Sequence, residues 1–172
     1  MLIEIKTFDQ VNGKQLMDVY RESNAENTAY FYPDISDKNE ALQNVERDFL
    51  RYIEHDFLAD SKNRLMVLEK DGIWVCALRL YCVAERLYYI EALETSPEHR
   101  RKGYAAQLLT GVMDLLKEQG PYTIRDCVDK KNTASLLTHQ KAGFVIYSDA
   151  GYDYLQNETD NESYGMQFIY SG

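Results

Sequence analysis

Positive charge is in short supply in this chain: 19 lysines and arginines stand against 28 aspartates and glutamates, for a formal net charge of −9. A surface of that sign repels phosphodiesters, because nucleic-acid binding rests on Lys and Arg displacing counterions. General DNA or RNA binding is therefore excluded as the expected role, whereas a cationic partner fits, as does solubility alone. Long apolar runs are also missing. No stretch approaches the ~20 apolar residues of a membrane span, and MLIEIKTFDQ at the N-terminus lacks the apolar run of a secretion signal. The expectation is a cytoplasmic protein with no membrane partner. Cysteine is limited to Cys76, Cys82 and Cys127, with no CxxC. An odd number without that spacing excludes a disulfide framework and a zinc site, so no metal is expected. All three lie in apolar, strand-like runs where reduced thiols pack as small hydrophobes. Proline occurs only at Pro33, Pro97 and Pro121, and no repeat or low-complexity linker interrupts the chain. With 172 residues and 45% apolar content, the chain is expected to form one domain, 1–172, burying roughly 70% of its unfolded surface.

What is present is a regular alternation of elements. Residues 2–8 alternate as a first strand, and 13–24 read as a short helix. An aromatic cluster follows, Tyr30, Phe31 and Tyr32, closed by Pro33. Leu42, Val45, Phe49, Tyr52/Ile53 and Phe57 recur at helical spacing and give one apolar face of a long helix over 38–58, with His55 an ordinary surface residue. Strands at 64–70 and 73–83 are joined by Asp71-Gly72, a strong hairpin signal. A third strand covers 87–95. A helix over about 103–118 ends at Gly120-Pro121. A strand at 122–128, a helix at 131–142 and strands at 144–147 and 166–170 complete the order. Between the last two lies a polar segment, 148–164. The sequence of elements specifies a mixed sheet with helices on it, α/β or α+β.

One segment collects the missing positive charge. In SPEHRRKGYAAQLL, Arg100, Arg101 and Lys102 precede Gly103, and a helix starts there. The first N–H groups of a helix lack internal acceptors and sit at the positive end of its dipole. Gly103 allows close backbone approach, and Ala105 and Ala106 leave the way clear. The turn suits a phosphate. It is neither a GxxxxGK[ST] loop nor a GxGxxG turn.

Arg100-x-x-Gly103-x-Ala105 resembles the Q/R-x-x-G-x-G/A signature of the GNAT superfamily, the acetyl-CoA-dependent N-acetyltransferases. Thr95-Ser96-Pro97-Glu98-His99-Arg100 is similar to the strand end and turn that precede that signature. Asn132-x-x-Ser135, with Lys141-x-Gly143-Phe144 behind it, resembles the second family motif. These motifs span roughly 87–147; the N-terminal half agrees in element order. The resemblance implies a mixed, mostly antiparallel central sheet with helices on both faces, and acetyl-CoA as acyl-donor substrate. It assigns the diphosphate to Arg100, Arg101, Lys102, Gly103, Tyr104, Ala105 and Ala106. It assigns the pantetheine arm to the backbone of Leu93 and Thr95, with a side-chain contact from Asn132. Homodimers are frequent among similar proteins.

Acetyl transfer needs a neutral amine, whereas an alkylamine is mostly protonated at pH 7. A carboxylate near the acceptor removes that proton. Glu91 and Glu94 lie within the 87–95 strand, and strict alternation sets Glu91 with Tyr89, Leu93 and Thr95, and Glu94 with Ile90 and Ala92. Glu91-Ala92-Leu93-Glu94-Thr95-Ser96-Pro97 also resembles the E-G-x-x-V-x-P stretch of aminoglycoside 6′-N-acetyltransferases. Glu91 is the expected base and Glu94 an acceptor-site charge; the alternative is structural pairing with Arg79 or Arg125. Many similar proteins carry a tyrosine acid four residues before the Gly-Phe, where this chain has His139. An imidazolium at His139 is the expected donor to the CoA sulfur; packing at the helix end is the alternative, leaving solvent or Tyr147. The resemblance implies an acceptor pocket among Tyr30–Pro33, with Tyr32 as a contact, the 38–58 helix and the acidic, tyrosine-rich 148–164 segment, and a small cationic amine suits it through charge and cation–π contact. A protein N-terminus or lysine is an alternative acceptor, and a non-catalytic acyl-CoA sensor the alternative role.

Overall fold

The computed structural model describes residues 1–172. Seven strands form one sheet in the order β1-β2-β3-β4-β5-β9-β6: β1 Leu2–Ile5, β2 Arg64–Lys70, β3 Ile73–Ala84, β4 Leu87–Thr95, β5 Tyr122–Asp129, β6 Val145–Ser148 and β9 Ser163–Tyr170. Every neighbouring pair is antiparallel except β4–β5. Helices cover both faces, so central strands are apolar on both sides. On β2, Met66 and Leu68 join the core under α4 (Tyr104–Lys117). Leu65 and Val67, pointing the other way, join the core under α1 (Gly13–Val19). The α4 face that packs down is Leu108, Leu109, Val112, Met113 and Leu116, all buried. The mixed, mostly antiparallel sheet with helices on both faces is the architecture expected from the sequence.

Several boundaries differ, each for a local reason. The first strand stops at Ile5, because Gln10 Oε1 accepts from the Lys6 and Thr7 amides at 2.9 and 3.2 Å and closes a 3-10 turn at Phe8–Gln10. The helix expected over 13–24 is two helices, α1 and α2 (Arg21–Phe31), broken at Tyr20 with φ −93° and ψ 14°. The long helix α3 runs over Lys38–Tyr52, capped by Asp37, and widens into a π turn at Ile53–Phe57 that buries both end residues. Helix α5 covers Thr133–Lys141, capped by Asn132. The polar 148–164 segment contains a small hairpin, β7 Gly151–Asp153 and β8 Glu158–Asp160, whose strands are too short to show alternation. Cys76 is buried, but Cys82 and Cys127 are part-exposed, contrary to the expectation that all three pack inside. No helix is long and apolar enough to cross a membrane.

A bulge interrupts β4. Arg79 pairs with Glu91 and Ala77 with Glu94, so three steps on β4 oppose two on β3. Ala92 sits in the left-handed region at φ +52°, and its carbonyl accepts the Tyr20 hydroxyl at 2.7 Å. A β-branched side chain tolerates that backbone poorly and glycine tolerates it freely. Ala92→Val is therefore expected to be less stable than Ala92→Gly by about 1–2 kcal/mol, measured as the shift in urea midpoint between the two variants.

Candidate active site

β4 and β5 pair only at Leu87–Tyr89 against Thr123–Arg125. Beyond Tyr89 they part, and a cavity of about 750 Å³ opens toward the start of α4. Its walls are the end of β4, the basic turn, α5 and the first half of α2. Gly103, at φ +77°, is the N-cap of α4 and provides no side-chain cap. A Cβ there would meet nothing within 4 Å, so the glycine answers to backbone conformation rather than to crowding. The first amide to reach back is Gln107 N to Gly103 O at 3.0 Å. The amides of Tyr104, Ala105 and Ala106 are thus left for an external acceptor. Arg101 shares the left-handed turn at φ +63°. The result is an anion-binding corner lined by amides and arginines.

Leu93, Thr95, Arg100, Arg101, Gly103, Tyr104, Ala105, Ala106 and Asn132, the residues the resemblance gives to the acyl donor, all line this cavity. Lys102 does not; its Nζ turns back to the Glu98 carbonyl at 3.4 Å. Asn132 Oδ1 accepts from Ser135 N at 3.0 Å, capping α5 from the cavity rim. Arg100 bonds Glu22 of α2 and the Thr95 carbonyl, and Arg21 of α2 bonds Glu98. These links tie α2 across the turn.

A second cavity, about 840 Å³, lies on the other side of α2. Phe31, Phe49, Tyr52 and Tyr154 provide its aromatic surface, and Asp48, Glu91 and Glu94 its acids. The two cavities share Ser23, Ala92 and Glu94. Strict alternation set Glu91 and Glu94 on opposite faces; the bulge at Ala92 corrects this and brings both into one cavity. Their environments differ. Glu91 Oε2 accepts Arg79 Nη2 at 2.8 Å, Arg79 Nε at 3.1 Å and the Tyr81 hydroxyl at 3.0 Å. The Tyr81 hydroxyl also meets that of Tyr52 at 2.5 Å, and the Arg79 guanidinium lies 5.4 Å from the Phe49 ring centre. Glu94 has no such clamp. Burial pushes its carboxyl above the usual carboxylate range, outweighing a Ser23 hydrogen bond and the charges of Arg100 and Arg79. It lies where the two cavities meet.

Three further expectations are redirected. His139 lines neither cavity: it is 1% exposed, with Nε2 2.7 Å from Asp126 Oδ2 and Nδ1 2.9 Å from the Ser135 carbonyl. Both nitrogens are occupied, so the ring does not face a ligand directly. Tyr32 also lies outside the cavity lining, because its hydroxyl is held by Asp48 as the chain leaves α2; its neighbour Phe31 takes the wall. The acids of 148–164 serve turns and surface pairs instead of the cavity. Asp153 accepts from Leu155 N at 2.7 Å and Asp160 from Glu162 N at 2.8 Å, while Tyr154, Leu155 and Gln156 reach inward. Sequence reading missed Tyr20, Asp48 and the Tyr52–Tyr81 contact. Phe49 and Tyr52 carried a helical-spacing signal, but that signal marks a buried face without distinguishing core from cavity wall.

Arg79 is nearly enclosed, with an 11% exposed side chain against 36% for Glu91. Removing the cation leaves a carboxylate without its partner among aromatics. Arg79→Met is expected to cost about 3 kcal/mol, and adding Glu91→Leu to recover most of it, both read from chemical denaturation.

No curated protein matches the chain. Among solved structures, the PaiA N-acetyltransferase from Thermoplasma acidophilum, in complex with coenzyme A, superposes with a TM-score of 0.67 at 18% identity over 99% of both chains. A spermidine N-acetyltransferase from Vibrio cholerae, in complex with CoA and spermine, gives 0.63 at 16% identity over 98% of this chain and 95% of that one. An aminoglycoside 6′-acetyltransferase type Ii gives 0.62 at 16% identity over 98% and 96%. At such identities the likeness is one of fold. The sequence profile of the acetyltransferase (GNAT) family matches residues 16–144, which contain the splayed strands, the basic turn and Glu94. The chain belongs to the acetyltransferase (GNAT) family.

Proposed function

We propose that residues 1–172 act as one N-acetyltransferase domain that transfers acetyl from acetyl-CoA to the primary amine of a small cation by direct attack, with Glu94 as the base. The observation that carries this reading is that Glu94 belongs to both cavities. The first cavity suits the acyl donor: free amides at the start of α4 and the guanidinium groups of Arg100 and Arg101 match a diphosphate. The β5-facing edge of β4 that is left open at Leu93 and Thr95 supports backbone bonding to an amide-bearing arm. The second cavity suits a cation, since Arg79 offsets Glu91 and Arg47 pairs with Asp48, leaving Glu94 as the acid without an ion-pair partner among aromatic faces.

An alkylamine of pKa ~10.4 arrives protonated and must lose a proton before or during attack. Glu94 takes it, directly or through one water. Burial keeps this carboxyl a stronger base than a surface glutamate. Glu91, held by three hydrogen bonds, shapes the cavity floor in this reading, and the base role first assigned to it passes to its neighbour.

Glu94→Gln is expected to lower turnover roughly 10²-fold or more with CoA binding retained by calorimetry, and Glu91→Gln to lower it less. The base must be ionised, so wild-type turnover falls as pH drops through the Glu94 pKa, which lies above the ordinary 4.5. That acid limb disappears in Glu94→Gln. Thiol release from acetyl-CoA across a panel of amines measures both, and CoA binding without turnover on any amine would favour an acyl-CoA sensor.

A further inference from the structure

Two buried ionisable groups are left without a part in this chemistry. Asp126 is 8% exposed and His139 1%, and their side chains meet at 2.7 Å. Asp126 is the first β5 residue beyond the last β4–β5 pair, Tyr89–Arg125. The pair therefore lies at the point where the two strands part. Its other end reaches the cleft: His139 Nδ1 is 2.9 Å from the Ser135 carbonyl and 3.4 Å from Ser135 Oγ, and Ser135 lines the first cavity.

The hydrogen-bond partners specify the protons. A carbonyl accepts only, so Nδ1 carries a hydrogen. The Nε2–Oδ2 contact holds a second one. The pair thus stores one proton more than a neutral imidazole beside a carboxylate. Burial opposes a charged ring, but the Asp126 bond and charge outweigh it and hold His139 above its ordinary value, while burial raises Asp126. Asp126 is the charged group facing His139. The Phe144 ring flanks it edge-on at 5.2 Å, and Glu91 acts on Asp126 from β4.

We propose that Asp126, His139 and Ser135 form a proton relay to the leaving thiolate, with Ser135 Oγ the group that touches sulfur and His139 and Asp126 acting through it. This rests on the acetyl-transfer reading above. As the amine nitrogen bonds the acetyl carbon and the C–S bond breaks, the sulfur takes the Ser135 hydroxyl proton. Ser135 takes the proton of His139 Nδ1. His139 is left neutral, with its remaining N–H on the Asp126 carboxylate. The ammonium loses its first proton through Glu94 to solvent before attack, the second passes from nitrogen to Glu94 as the amide forms, and solvent restores both groups after product release. A thiolate of pKa ~8.5 accepts readily from this source. Thr138 also lines the cavity, but its hydroxyl donates to the Ala134 carbonyl at 2.8 Å. Tyr147 packs beneath Arg125, whose guanidinium is 4.6 Å from its ring centre.

Ser135→Ala tests the relay cleanly, because it keeps the peptide carbonyl that holds Nδ1 and leaves the Asp126–His139 contact intact. In single-turnover acetyl transfer with the full chain, the rate is expected to fall on the order of 10²-fold, with CoA affinity and melting temperature unchanged. Wild type loses rate at high pH as the pair gives up its proton, and Ser135→Ala loses that alkaline limb. Ser135→Thr restores the hydroxyl and most of the rate. A Ser135→Ala rate within twofold of wild type, an unchanged alkaline limb, or equal losses in the Ala and Thr variants overturns the relay. Failure of the Glu94 assignment is distinct, since Glu94→Gln removes the acid limb and keeps the alkaline one.

Discussion

The hydroxyl of Tyr20 and the carbonyl of Ala92 meet at 2.7 Å, and much of the site depends on that contact. Tyr20 breaks the first helical segment in two, which lets α2 cross the end of the sheet. The same residue holds the bulge that adds one residue to β4. Without the extra residue, Glu91 and Glu94 would point to opposite faces; with it, both enter one cavity while Leu93 packs on the α4 side. The hydroxyl is buried and its acidity is strongly suppressed by burial, so it serves as a permanent donor.

Two carboxylates three residues apart thereby acquire different properties. Glu91 is locked by a guanidinium fork and a phenol, and in exchange it immobilises Arg79 against Phe49 and Tyr52. Glu94 is buried without an equivalent partner and binds its proton more tightly. Environment, not residue type, separates a clamped carboxylate from one that holds its proton more tightly. Asp126 follows the same rule on the opposite side of the sheet, where a buried imidazole takes the place of the guanidinium.

The basic turn resolves an apparent conflict in composition. A chain with net charge −9 repels anions at long range, yet its cavity wall carries Arg100, Arg101 and three free helix amides. At contact distance, local donors outweigh a diffuse field screened within about 10 Å. α2 is common to both cavities, tethered to the turn by Arg21–Glu98 and Glu22–Arg100 and lining the second cavity through Ser23 and Phe31.

The order of elements and the glycine-led basic turn were legible in the amino acids, because helix caps, glycine conformation and alternation are properties of a few neighbouring residues, and nine of the ten residues that the resemblance gives to the acyl donor line the first cavity. Lys102 alone turned aside. The second cavity was legible only as a region: Tyr32 gave way to Phe31, and the acids of 148–164 gave way to Asp48. His139 could be singled out by its position, but not as a buried partner of Asp126, thirteen residues earlier in the chain. By itself, the sequence determined the fold and the glycine-led basic turn at the start of α4 through local rules. Which carboxylate stands free, and which imidazole is enclosed, was decided only in the tertiary structure, because a single bulge inverts the facing of a strand and burial sets the affinity of each group for its proton.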